Sequence, residues 1–84
     1  MPRISVNIPV AGDWPTPEDM DARNAITDEL DEVGLGEFTG AGGGLGSMDF
    51  SYTVASGEAA ERVVREVIAK HLPKREYSVR VVDD

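Results

Sequence analysis

The chain contains no cysteine, so no disulfide can staple it and no thiolate can hold a metal. Its single histidine, His71, excludes multi-histidine metal sites. No apolar run approaches the length of a membrane span, and the first residues lack a signal-peptide pattern. The expected location is therefore the cytoplasm. Basic residues are scarce: eight Lys and Arg stand against sixteen Asp and Glu, for a formal net charge of −8. Acidity of this strength repels nucleic acid and anionic membranes, and neither is expected as a partner.

What remains is a globular composition. With 84 residues, of which 40% are hydrophobic, the chain is long enough for one small domain and too apolar for a disordered tail. A domain this short buries only about 60–65% of its unfolded surface. A partner or a second copy would add stability by mass action.

The acidity is localised. Residues 13–37 hold nine acids (Asp13, Glu18, Asp19, Asp21, Asp28, Glu29, Asp31, Glu32, Glu37) and one base, Arg23, which is a net −8. The remaining residues hold seven acids and seven bases, which cancel. One segment thus carries the entire net charge.

Hydrophobic periodicity assigns the elements. Ile4, Val6, Ile8 and Val10 alternate with Arg3, Ser5, Asn7 and Pro9, the pattern of a half-buried strand that ends near Pro9. Thr16-Pro17-Glu18-Asp19 combines a capping hydroxyl, a proline at the first helical position and acids at the positive end of the dipole. It predicts a helix from Pro17 to Val33 with Ala22, Ile26, Leu30 and Val33 as its apolar stripe. Gly34 suits a left-handed C-terminal cap. Asp21, Asp28 and Glu32 point elsewhere, with Asp31 beside them.

Leu35 to Thr39 reads as a short strand, and Gly40-Ala-Gly-Gly-Gly-Leu-Gly46 as a mobile connection. Met48, Phe50, Tyr52 and Val54 alternate with Asp49, Ser51 and Thr53 in the best-patterned strand, Ser47 to Ala55. Ser56 caps a second helix beginning near Gly57, with Ala60, Val63, Val64, Val67, Ile68 and Leu72 inward. Glu61–Arg65 and Glu66–Lys70 sit at favourable spacing on its wet face, and Pro73 stops it. Glu76 to Val82 is a final strand. The order β-α-β-β-α-β implies an α+β, ferredoxin-like sandwich: a four-stranded antiparallel sheet with two helices on one face. The usual spatial order, 4-1-3-2, makes the first and third strands central and the second an edge.

Few motifs carry chemistry. The glycine run lacks the spacing of a dinucleotide fingerprint and the lysine of a P-loop, and a strand rather than a helix follows it. No Ca²⁺-loop spacing occurs among the acids. His71 sits at a helix C-terminus, where a cation is favourable, and no nucleophile context surrounds Ser47, Asp49 or Ser51. No cofactor, metal or catalytic residue is therefore assigned. The open sheet face should show Arg3, Ser5, Asn7, Asp49, Ser51, Thr53, Ser78 and Arg80. An RNA-recognition face of this topology would need outward aromatics, whereas Phe50 and Tyr52 belong to the inward row. Two readings stand for Trp14: a staple packed on the helix start, or an exposed interface anchor flanked by acids.

Val33 to Val54, with its glycine-rich hairpin followed by Ser-Met-Asp-Phe-Ser-Tyr, resembles small bacterial proteins of ferredoxin-like fold, some of them similar to toxin-neutralising immunity proteins. The resemblance implies the fold and an inhibitory role, and it brings no functional residue with it. The combined expectation is a non-enzymatic interaction module that docks a protein partner with a basic surface. The residues expected to do this are Trp14, Asp21, Asp28, Asp31, Glu32, Gly42, Gly43 and Gly44. The alternative is a dimeric domain that senses a small molecule or regulates, paired through its sheet face or an edge strand.

Overall fold

The computed structural model describes residues 1–83. The elements follow in the order β1 (Arg3–Pro9), α1 (Pro17–Glu32), β2 (Glu37–Gly44), β3 (Ser47–Thr53), α2 (Gly57–His71) and β4 (Ser78–Val82). The four strands form one antiparallel sheet in the order β2-β3-β1-β4, and the fold is the ferredoxin-like α+β sandwich. The two best-patterned strands, β1 and β3, are the central pair, and β2 is an edge.

Strand periodicity places the core. β1 and β3 pair with Ile4 opposite Tyr52, Val6 opposite Phe50 and Ile8 opposite Met48, so one face of the sheet carries all six inward side chains. Ile26 and Leu30 of α1 and Ala60, Val64, Val67 and Ile68 of α2 complete the core, together with Val54. Apart from Tyr52 with its hydroxyl, no residue with a polar side chain is buried among the described residues. α1 packs on α2 and β3, whereas α2 packs on β1 and β4. The helix-facing side of β2 is consequently left largely uncovered.

α1 starts as its sequence dictates. Asp19 N–H donates to Thr16 Oγ1 and Thr16 N–H donates to Asp19 Oδ2, both at 3.1 Å, which closes a reciprocal capping box. The helix ends one residue short of expectation, at Glu32. Gly34 takes φ +71° and turns the chain away, which leaves Val33 57% exposed instead of on the apolar stripe. β3 stops at Thr53 rather than Ala55, and β4 begins at Ser78 rather than Glu76.

The glycine run is the largest departure from expectation. Residues 40–44 are not a mobile connection. They are the second half of β2, paired with β3 from Gly40 opposite Ser51 to Gly44 opposite Ser47. Backbone pairing needs no side chains, so a composition that suggests a loop still fills a strand. The true turn is Leu45-Gly46, with φ +55° and +85°, the two-residue hairpin geometry that matches strand twist. Its tip is tied down: Val10 N–H donates to the Gly46 carbonyl and Gly46 N–H to the Asp13 carbonyl, each at 2.9 Å.

Polar contacts tie α1 to α2 and to the loop that follows it. Arg75 reaches Asp19 at 3.0 Å, and Glu29 meets His71 at 2.9 Å and Lys70 at 3.1 Å. The expected Glu61–Arg65 pair is present at 2.9 Å, but Lys70 crosses to Glu29 rather than pairing with Glu66. The Thr16 backbone N–H, and after it Arg75, holds the Asp19 carboxyl below its ordinary value of 3.8, against a desolvation that pushes it up. His71, and then Lys70, does the same for Glu29 relative to 4.5. Folded-state values below unfolded ones mean that the unfolded chain binds the extra protons as the medium turns acid. The stability from these groups is complete above their ordinary values and is lost as the pH falls through the lower folded ones. Urea midpoints measured across this acid range should therefore fall with pH, and Asp19→Asn with Glu29→Gln should flatten that slope. An unaltered slope would contradict the assignment.

Candidate functional site

The structure sorts the acids of α1 by what they touch. About 3.6 residues per turn bring Met20, Arg23, Thr27 and Asp31 onto the side facing β2 and β3. Arg23 Nη1 donates to the Gly42 carbonyl at 2.8 Å, which fastens α1 to the edge strand. Arg23 Nε is buried and has no hydrogen-bond partner among the described residues. Tyr52 Oη lies 2.9 Å from Asp31 Oδ1 and 3.1 Å from the Thr27 carbonyl, so its proton is shared between two acceptors on one helix face. Burial first, then the bond to Asp31, raises the phenol well above its ordinary range.

Asp31 thus departs from its expected role as a free partner-binding acid. It belongs to the core's polar anchor, together with Tyr52. Asp19 and Glu29 are likewise engaged, with Arg75 and with His71 and Lys70. The next row around the helix, on the side away from the core, is Asp21, Asn24, Asp28 and Glu32. These three carboxylates are exposed, and none is paired with a base among the described residues.

Beside this row lies an apolar strip. Trp14 is 69% exposed, yet it is seated rather than loose: its ring rests on Gly44, where an added Cβ would come within 2.6 Å of it. Pro15 rests on Gly43 in the same way, at 2.8 Å. These two glycines therefore make room for the loop before α1, which is why side chains are missing there. Gly42 faces the opposite side of the sheet, against the Asp49 carboxylate at 3.5 Å. Trp14 is exposed and packs on the hairpin end of the sheet rather than acting as a staple on the helix start. Trp14, Pro15, Met20, Arg23, Ala41, Gly42 and Gly43 enclose a groove of about 280 Å³ between α1 and β2. Phe38 extends the strip along β2, half-exposed and edge-on to Tyr52 with ring centroids 5.5 Å apart.

Of the residues singled out in the sequence, Trp14, Gly43 and Gly44 meet at the hairpin end of the sheet, Asp21, Asp28 and Glu32 form one exposed row of α1, and Gly42 faces the open side of the sheet. Met20, Arg23, Phe38 and Ala41, which the sequence does not single out, lie on the helix side of β2 and along α1. The signal for Phe38 and Ala41 was available, since an edge strand covered on one face by a helix leaves part of that face open. Arg23, the one base in the acidic segment, was the other clue.

The open face of the sheet forms a second, shallower depression of about 320 Å³, lined mainly by Ser5, Asn7, Asp49, Ser51, Ser78 and Arg80. Asn7 donates to Ser47 Oγ at 3.2 Å, and the Thr39 and Ser51 hydroxyls meet at 2.8 Å. No group of three or more His, Asp or Glu side chains among the described residues is placed to hold a metal ion. No helix among them is long and apolar enough to cross a membrane. The sequence matches no protein-family model and none of the curated proteins.

Proposed function

We propose that this protein is a non-enzymatic interaction module that docks a protein partner with a basic surface, in the manner of an inhibitor or immunity protein. One observation carries the reading. The unpaired carboxylates Asp21, Asp28 and Glu32 run alongside an exposed apolar strip of Trp14, Met20 and Phe38. Buried aromatic anchors supply affinity at an interface, and a charged row beside them supplies steering and orientation. The acids bound to other groups, Asp19, Glu29 and Asp31, hold the scaffold that presents this row.

The test uses Asp21→Lys, Asp28→Lys and Glu32→Lys together, which leaves the Tyr52–Asp31 contact intact. Wild type and variant are compared as baits at low and high salt, and the retained protein is then purified and titrated. A basic protein that binds wild type stoichiometrically should lose at least about a hundredfold in affinity to the variant. Its binding to wild type should weaken as salt rises. Equal affinity for both baits would remove the reading.

A second reading, a dimeric domain that senses a small polar molecule, is supported by the hydroxyl-rich depression on the open sheet face. The mass in solution at high concentration separates the two, since a monomer counts against the dimer.

A further inference from the structure

We infer that the partner contributes an extended, basic segment that adds as a fifth strand to the open edge of β2. Strand addition rests on the docking reading above and names how the partner is held. β2 is the outer strand beside β3, and its far edge is unpaired. An unpaired edge offers its backbone donors and acceptors to any chain that can approach. Natural sheets guard such edges with lysines, prolines or bulges. β2 has one bulge, between Phe38 and Gly40, and no lysine or proline. The regular stretch from Gly40 to Gly44 carries one methyl group, that of Ala41, so nothing hinders close approach of a second backbone.

The surroundings define what would fit. A strand added here lies about 4.8 Å beyond β2. Its side chains alternate between the two faces of the sheet. Those on the helix side meet the groove of Trp14, Met20 and Ala41, which takes apolar groups of modest size. The helix that walls the groove also carries the exposed row of Asp21, Asp28 and Glu32 on its solvent side, and Glu37 opens β2 itself. Long basic side chains from the added strand or its flanks would reach these acids. The complement is thus an extended segment alternating apolar residues with lysine or arginine.

A second copy of this chain does not meet these requirements. Two chains joined edge to edge through β2 would bring two such acidic rows together, each on a molecule of net charge −8. Like charges facing one another at an interface disfavour association.

The experiment uses the intact protein and three capped synthetic peptides, followed by amide chemical shifts, amide hydrogen exchange and calorimetry. The first alternates lysine and valine. The second has the same side chains but is N-methylated at the alternate residues whose N–H groups would face β2, which removes the donors of the new ladder. The third replaces lysine by glutamate. The lysine–valine peptide should bind, shift the amides of Gly40 to Gly44 and slow exchange at Ala41 and Gly43, whose N–H groups face away from β3. The N-methylated peptide should bind about tenfold more weakly or worse, since it forfeits main-chain hydrogen bonds. The glutamate peptide should not bind.

Equal binding of the lysine–valine peptide and its N-methylated form would overturn strand addition and leave docking by charge standing. Absence of binding by the lysine–valine peptide would overturn strand addition too, while the charge-reversal titration against the purified partner still decides the docking reading. Self-association that protects the Ala41 and Gly43 amides without any peptide would overturn it in favour of a dimer.

Discussion

Tyr52→Ala should bring this protein close to unfolding, with a loss of about 3–5 kcal/mol. Tyr52 is fully buried on β3 and packs edge-on against both Phe38 and Phe50, with ring centroids 5.5 and 6.2 Å away. Its removal opens a cavity in a core that has no second layer to collapse into it. A domain of this size has only about 5–10 kcal/mol to lose. Tyr52→Phe isolates the hydroxyl. It keeps the ring and gives up the bond to Asp31 and Thr27, for a loss of about 1 kcal/mol, because Asp31 is exposed and can be rehydrated.

The same hydroxyl gives a pH signature. Its folded-state value is raised, so the unfolded chain releases this proton more readily. The stability it contributes is complete below about pH 10, the ordinary phenol value, and is lost as the pH rises above it. Denaturant titrations at neutral and alkaline pH should show wild type losing stability on the alkaline side and Tyr52→Phe losing less. Parallel alkaline curves for the two would show that Tyr52 is not the group responsible.

Gly36→Ala and Gly40→Ala should move stability in opposite directions. At Gly36 a methyl group would collide with the backbone carbonyl oxygen of Thr53 and crowd Val54. Neither neighbour can step aside, because Thr53 is held in register opposite Glu37 on one side and Arg3 on the other. The substitution should cost about 2–3 kcal/mol, the range of overpacked sites, and should loosen the entry to β2. At Gly40 a methyl group meets nothing within 4 Å. Alanine there restricts the unfolded chain, and stability should rise by about 0.5 kcal/mol. Equal effects at the two positions, read from urea midpoints, would mean that close approach does not explain the glycine at position 36.

These two residues bear on how far the sequence could be read. The element order, the sheet topology and the inward rows of β1, β3 and α2 were all legible, because each depends on periodicity within a few residues. Ile4, Val6 and Ile8 alternate on a strand whatever lies beyond them, and the capping box at Thr16 closes within its own turn. Gly34 is legible as a helix cap, but the glycines of 40–44 are not legible as a strand, since a residue without a side chain has no periodicity to display. Its reason for being there sits on another element: Thr53 for Gly36, Pro15 for Gly43, Trp14 for Gly44.

The acids of α1 divide in the same way. Residue order alone shows that residues 13–37 carry the net charge and that most of these acids lie on one helix with Trp14 just before it. Which carboxylates lack a partner depends on how the elements pack. Asp19, Glu29 and Asp31 find Arg75, His71 with Lys70, and Tyr52, partners 21 to 56 residues away in the chain. Asp21, Asp28 and Glu32 find none among the described residues. An ion pair or hydrogen bond forms across a few ångströms of space, and residue spacing along one helix specifies only which acids share a face. What each face meets is settled by the packing of α1 on α2 and β3, which brings Asp19, Glu29 and Asp31 to partners on other parts of the chain and leaves the row of Asp21, Asp28 and Glu32 in solvent.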